Sequence, residues 1–214
     1  MAMAPARIDC ALAIFARAPV PGEAKTRLMP LLGAEGAASL HAMLVERMLA
    51  AAVEADVGPV TLWCAPSRAH PFFARCAEKF GVALADQVAG DLDARMHAVF
   101  EASAPALLAG TDCPSISAAH LRDCAAALNK GADAVFLPAE DGGYGLVGLE
   151  RPCIDIFESM VWSTETVMEE TRARMRRLGI SWREPATIWD VDFPEDARRL
   201  AASGLLPQWR PPFA

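Results

Sequence analysis

A few groups of residues in this 214-residue chain have the types and spacing to do chemistry. In ALLAGTDCPSIS, residues 106–117, an apolar run breaks off at Thr111 and Asp112. If Ala106 to Ala109 is a buried strand ended by Gly110, Asp112 stands on the carboxyl edge of an open sheet, where such sheets bind ligands. A carboxylate there is a candidate metal or nucleotide ligand. The alternative is that it only caps the helix over Ser117 to Leu128. In ARAPVPGEAKTRL, residues 16–28, Pro19, Pro21 and Gly22 exclude regular structure, while Arg17, Lys25 and Arg27 supply positive charge. Lys25 could act as a point charge on a phosphate, and Arg27 offers a planar fork for two phosphate oxygens. The loop itself is neither a Walker A loop nor G-x-G-x-x-G, so a solvated basic loop is the competing reading. In IWDVD, Asp190 and Asp192 are two apart and in a strand would share one face, which is costly unless they are solvated or share a cation. Alternatively, Asp192 opens a capping box before Pro194 to Ala202.

Two further stretches could touch a ligand. EDGGYGLVGL, residues 140–149, is dense in glycine and holds the single tyrosine, so Asp141 or Tyr144 could reach a sugar or phosphate through a close-lying backbone. The competing reading is a D-G or G-G turn between strands. In Trp162-Ser163-Thr164, either hydroxyl would cap a helix over Glu165 to Leu178, and the indole of Trp162 could stack on a sugar or complete the core.

The elements that must position these residues alternate. Ile8 to Phe15, Pro59 to Ala65, Val82 to Ala85, Ala106 to Ala109 and Asp133 to Pro138 read as strands, and Ile180 to Glu184 and Thr187 to Val191 as late ones. Gly33 to Ala55, with Leu40, Met43, Leu44 and Met48 on one stripe, His70 to Phe80 and Gly90 to Ser103 read as helices. His97 falls in the last of these as a structural residue. Alternating strands and helices give a three-layer α/β/α fold around a mostly parallel sheet. No linker divides the chain, so residues 1–214 are expected to be one domain, with its core over 8–202 and a surface tail over 205–214.

Composition removes several function classes. A net charge of -7 argues against nucleic acid as a partner. Six cysteines without C-x-x-C spacing, and four histidines without i,i+4 pairs, argue against zinc and a secreted disulfide scaffold. The apolar runs are interrupted, and none is expected to reach the roughly 18–20 residues of a membrane span. The first apolar run contains Asp9 and lacks a cleavage site, so it reads as a strand rather than a signal peptide, and a cytoplasmic location is expected.

Taken in order, FARAPVPGEAKTRL, GTDCP, DGGYGLVGL, VWSTET and WDVDFPED resemble the small bacterial GT-A-like nucleotide-diphospho-sugar transferases, also described as arsenosugar-biosynthesis-type glycosyltransferases. These are related in fold to the molybdenum-cofactor and phospholactate guanylyltransferases. The resemblance covers about residues 8 to 202. It implies a mixed seven-stranded sheet with a divalent cation, Mg²⁺ or Mn²⁺, at its carboxyl edge. By that resemblance Lys25, Thr26, Arg27 and Leu28 contact nucleotide phosphates, Asp112 and Asp192 hold the metal, and Asp141, Gly142 and Gly143 lie near the acceptor or sugar. Arg17 stands where lysine is common, Phe193 where threonine is common, and GTDCP has one acid where many GT-A enzymes have D-x-D. The expected activity is glycosyl transfer from a nucleotide-diphospho-sugar to a small-molecule acceptor, with nucleotidyl transfer or a non-catalytic nucleotide-binding module as alternatives. The expected catalytic residues are Lys25, Arg27 and Asp112. The expected binding residues are Arg17, Pro19, Gly22, Thr26, Thr111, Asp141, Gly142, Gly143, Tyr144, Trp162 and Ser163.

Overall fold

The computed structural model describes residues 9–213. Ile8, the predicted first residue of the opening strand, and the last residue of the tail lie outside them. The strands are β1 (Ala11–Arg17), β2 (Val60–Ala65), β3 (Ala83–Asp86), β4 (Ala106–Ala109), β5 (Ala134–Pro138), β6 (Tyr144–Leu149) and β7 (Trp182–Arg183). The helices are α1 (Met29–Ala55), α2 (Pro71–Phe80), α3 (Leu92–Ser103), α4 (Ala118–Asn129), α5 (Val167–Leu178) and α6 (Pro194–Ser203). The strands form one seven-stranded sheet in the order β3-β2-β1-β4-β6-β5-β7. β6 is antiparallel to both β4 and β5, and the other pairings are parallel.

Strand alternation sorts side chains between two layers. Leu12, Ile14 and Ala16 of β1 join Leu62, Leu107 and Val135 under α1, α2 and α4, where Val45, Phe73 and Leu121 meet them. On the other face, Ala13, Leu108, Phe136 and Val147 meet Val99 and Phe100 of α3 and Met168 and Met175 of α5. The six cysteines are unpaired, and all but Cys153 are buried.

One helix corrects the expectation that no segment is long and apolar enough to cross a membrane. Thr26–Ala55 is 30 residues long with a mean hydropathy of 1.3 over its best window. Its apolar character has a local explanation in this fold. Leu40, Leu44, Val45, Met48 and Leu49 are buried against neighbouring elements, and Gly33 breaks the helix at φ 69.

The late strands are shorter than predicted. Ile180 to Glu184 contracts to β7, and Thr187 to Val191 pairs only through a bridge between Ile188 and Ala139. Arg172 of α5 grips Glu184 through Nε (2.9 Å) and a second nitrogen (2.6 Å), and Trp182 Nε1 donates to the same carboxylate at 2.7 Å. These donors hold the Glu184 carboxyl below its ordinary value. A depressed folded pKa contributes stability that is present above the unfolded value and is lost as pH falls through the folded one. Glu184→Gln is therefore expected to lower stability by about 1 kcal/mol at neutral pH. The difference should shrink as pH falls below about 4.5, in urea denaturation at a series of pH values.

Candidate active site at the carboxyl edge

The chain leaves β1 toward β2 and β3 on one side and resumes at β4 on the other, so the carboxyl ends of β1 and β4 flank the topological switch point. The basic loop starts at the end of β1, and Asp112 follows β4. A third segment, residues 188–193, is tied in by backbone hydrogen bonds: Ile188 N donates to Pro138 O (2.8 Å), and Val191 N donates to Asp112 O (2.9 Å). That last bond sets Asp192 beside Asp112.

The acids meet across a lysine. Lys25 Nζ lies 2.6 Å from Asp112 Oδ1 and 2.9 Å from Asp192 Oδ1, and Arg27 donates to Asp192 Oδ2 at 3.0 Å. The Lys25 side chain is only 6% exposed, on a backbone in the left-handed region at φ 50. Burial alone would depress its ammonium, but the two carboxylates hold its pKa above the ordinary lysine value. Burial likewise opposes ionisation of Asp112, and the adjacent ammonium overrides it, keeping that carboxyl below its usual range.

Asp190 differs. Burial, with Asp141 and Asp192 nearby, pushes its carboxyl up to about 6. It lines a different cavity from Asp192, and the pair does not lie in a regular strand as predicted. Nor does Asp192 cap α6. The cap interaction belongs to Asp196, whose carboxylate accepts from the backbone N–H of Asp192 and Phe193, leaving the Asp192 side chain to the basic loop.

Two cavities adjoin at this edge. The smaller, about 320 Å³, is lined by Arg17, Lys25, Thr26, Arg27, His41, Asp112 and Asp192. The larger, about 460 Å³, includes Thr111, Asp141, Gly143, Tyr144, Trp162, Ser163 and Asp190, and shares Arg17, His41 and Asp112 with the first. Pro19, Gly22 and Gly142 line neither cavity; Gly22, at φ 86, shapes the loop.

The D-G-G segment is a turn, as the competing reading predicted, and it also faces the large cavity. Asp141 Oδ1 accepts from Gly143 N at 2.9 Å, and Met168 N donates to Gly142 O at 2.8 Å, which ties the turn to the start of α5. Neither Ser163 nor Thr164 caps that helix. It begins at Val167 behind Thr166, Thr164 Oγ1 donates to Val161 O, and Ser163 turns left-handed at φ 62 beside the cavity. Trp162 is half-buried, with its Nε1 donating to Asp93 and its ring edge-on to Tyr144.

The sequence reading missed His41 and Gln87. His41 sits inside an apolar helical stripe, and Gln87 follows β3 with its amide nitrogen 3.0 Å from Trp63 O. Asp112 and Asp192 each place a carboxylate oxygen on the Lys25 ammonium, and carboxylate oxygens are the donor type that suits a hard cation such as Mg²⁺. Among the described residues, no cluster of three or more His, Cys, Asp or Glu side chains could hold a metal unaided.

The family model described as "Uncharacterized protein conserved in bacteria (DUF2064)" matches residues 48–164. No curated protein matches the sequence. A protein from Desulfovibrio desulfuricans G20, provisionally described as a nucleotide-diphospho-sugar transferase, superposes with a TM-score of 0.81 at 25% identity, covering 91% of this chain and 87% of that one. The same fold is found in 4-diphosphocytidyl-2C-methyl-D-erythritol synthase from Anaerococcus prevotii DSM 20548, with a TM-score of 0.61, 11% identity and coverage of 94% and 99%. A nucleotidyl transferase from Methanothermobacter thermautotroptrophicus superposes with a TM-score of 0.59 at 16% identity, covering 92% and 98%.

Proposed function

The chain belongs to the DUF2064 family, and from that membership and the geometry of its sheet edge we propose that it is a metal-dependent glycosyltransferase using a nucleotide-diphospho-sugar donor. The observation that carries this reading is the convergence of Asp112, Asp192, Lys25 and Arg27 at the switch point, beside a second cavity of about 460 Å³. The likeness to the Desulfovibrio protein supports the donor class, and the chain is a transferase.

In this reading the smaller cavity takes the diphosphate. Lys25 and Arg27 turn from the carboxylates toward phosphate oxygens, where their charge opposes the negative charge that builds on the leaving group. Asp112 and Asp192 would hold Mg²⁺ or Mn²⁺, which as a Lewis acid would supply further stabilisation of that charge. The larger cavity takes the transferred sugar and a small-molecule acceptor, with Thr111, Asp141, Gly143 and Ser163 as polar contacts and Tyr144 and Trp162 as an aromatic wall. An acceptor hydroxyl forms the new bond to the anomeric carbon and gives up its proton to water, the bond from that carbon to the phosphate oxygen breaks, and a nucleoside diphosphate departs.

The single acid of GTDCP favours a second reading, nucleotidyl transfer, in which a substrate phosphate attacks the α-phosphorus and pyrophosphate departs. Incubation of the protein and Mn²⁺ with nucleotide-sugars, and separately with nucleoside triphosphates plus sugar phosphates, separates them by product. Nucleoside diphosphate is expected, and pyrophosphate would replace the first reading with the second. Asp112→Asn is expected to lower turnover by about 10²-fold to 10³-fold and to abolish the rise in melting temperature given by metal with nucleotide. If both survive the substitution, Asp112 has no part in the site.

A further inference from the structure

His41 projects from α1 toward the end of β1 and is 6% exposed. Its Nε2 is 2.9 Å from Arg17 O, and a carbonyl can only accept, so Nε2 carries the proton. Nδ1 is then a lone pair, and it is buried without a partner among the described residues. Burial holds the ring below the ordinary histidine range, which favours the neutral form that carries this lone pair. An acceptor shielded from water with nothing to accept from is rare and unfavourable in a folded protein.

The position of the ring narrows what could complete it. His41 lines both cavities, with Arg17 and Asp112 as the other shared residues, so it stands where the proposed diphosphate cavity opens into the larger one. Ionised phosphate and carboxylate oxygens are acceptors themselves and would be repelled by the lone pair. A hydroxyl, which donates, would not. The group of a sugar nucleotide that is both next to a phosphate and rich in hydroxyls is a sugar ring.

We propose that His41 is a substrate-binding residue whose Nδ1 accepts a hydrogen bond from a sugar hydroxyl adjacent to the diphosphate. The inference rests on the nucleotide-binding reading above and deepens it: the junction selects for a hydroxyl and against an anion. The hydroxyl comes either from the ribose of the nucleotide or from the sugar beyond the diphosphate, which are chemically alike at this point.

The test is calorimetric binding to the full chain with Mg²⁺, comparing wild type and His41→Gln. Glutamine keeps a donor for Arg17 O and removes the Nδ1 lone pair. One arm uses the common ribonucleoside diphosphates against their 2′-deoxy and 3′-deoxy forms. The other uses UDP-hexoses and GDP-hexoses against their 2-deoxyhexose forms. In one arm, wild type is expected to prefer the hydroxylated ligand by about 10-fold to 100-fold, and the variant to bind both forms as wild type binds the deoxy form. The arm that responds names the source of the hydroxyl. The ¹⁵N resonance of Nδ1 should move with the hydroxylated ligand and not with its deoxy counterpart, a response that a purely structural histidine would lack. If nucleotide binds but the preference is absent, or persists unchanged in the variant, the role of His41 is overturned while the nucleotide site stands. If wild type binds no nucleotide, both fail together. Should His41→Gln melt far below wild type, the ¹⁵N measurement on wild type decides.

Discussion

Lys25→Met is expected to lower turnover by about 10²-fold to 10³-fold and, at the same time, to lower the Mg²⁺ concentration at which metal binding is half complete. The two effects have opposite directions because one nitrogen has two relationships. Lys25 Nζ sits 2.6 Å and 2.9 Å from the carboxylates that are the proposed metal ligands, so ammonium and metal compete for the same oxygens. When the metal and a diphosphate arrive, the lysine must leave the acids, and its charge moves to the phosphates. Methionine preserves the stem and its packing but removes both the competitor and the charge delivered to the leaving group. Stability should fall by only about 1–2 kcal/mol, because the Asp112 and Asp192 side chains are 48% and 33% exposed and are partly screened by water. Lys25→Arg would not restore turnover, since a planar fork does not replace a compact ammonium between two acids. Mg²⁺ titrations followed by melting temperature and by product release separate the two effects. Turnover within about twofold of wild type would remove Lys25 from the reaction.

Gly142→Ala should be the most damaging single methyl in the chain. At φ 90 the residue occupies a region L side chains rarely adopt, and a Cβ there would stand 1.9 Å from the Glu165 carbonyl oxygen. The obstacle is backbone, so no rotamer change relieves it. Either the turn after β5 or the segment leading to α5 must move. We expect a loss of about 3 kcal/mol or more, measured by urea denaturation. Binding should suffer beyond the loss of stability, because Asp141 and Gly143 on one side and Trp162 and Ser163 on the other line the same cavity. Gly131→Ala is the control: it also has positive φ, at 91, but a Cβ there meets nothing within 4 Å. A variant at 142 as stable as the one at 131 would show that the close approach is not rigid.

The parts of this site that announce themselves in the sequence are those whose chemistry conflicts with their surroundings. Asp112 after a run of four apolar residues, and three basic residues in a proline-broken loop, stand out in the sequence even though a helix cap and a solvated loop are structural readings of each. His41 carries no such signal, because its neighbours Leu40 and Leu44 continue an apolar stripe and a histidine within one reads as packing. The irregular stretch from Ser159 to Thr166 was hidden for another reason. Its serines and threonines fit the statistics of a helix cap, whereas Ser159 and Ser163 are used at positive φ. Asp192 was legible as an acid but not as a free one, since only the geometry reveals that Asp196 takes the capping bonds. β6 is read from the sequence as the far arm of a turn; that it slots between β4 and β5 depends on contacts distant along the chain.

The final stretch of the chain has a wider consequence. Leu206 and Trp209 are buried with Leu28 and Leu40 near the start of α1 and with Trp189 and Val191 beside Asp192. Leu206 and Trp209 therefore brace two of the segments that carry charge to the sheet edge. Substituting Leu206 or Trp209 with alanine is expected to weaken binding at the sheet edge before it disturbs the bulk of the sheet.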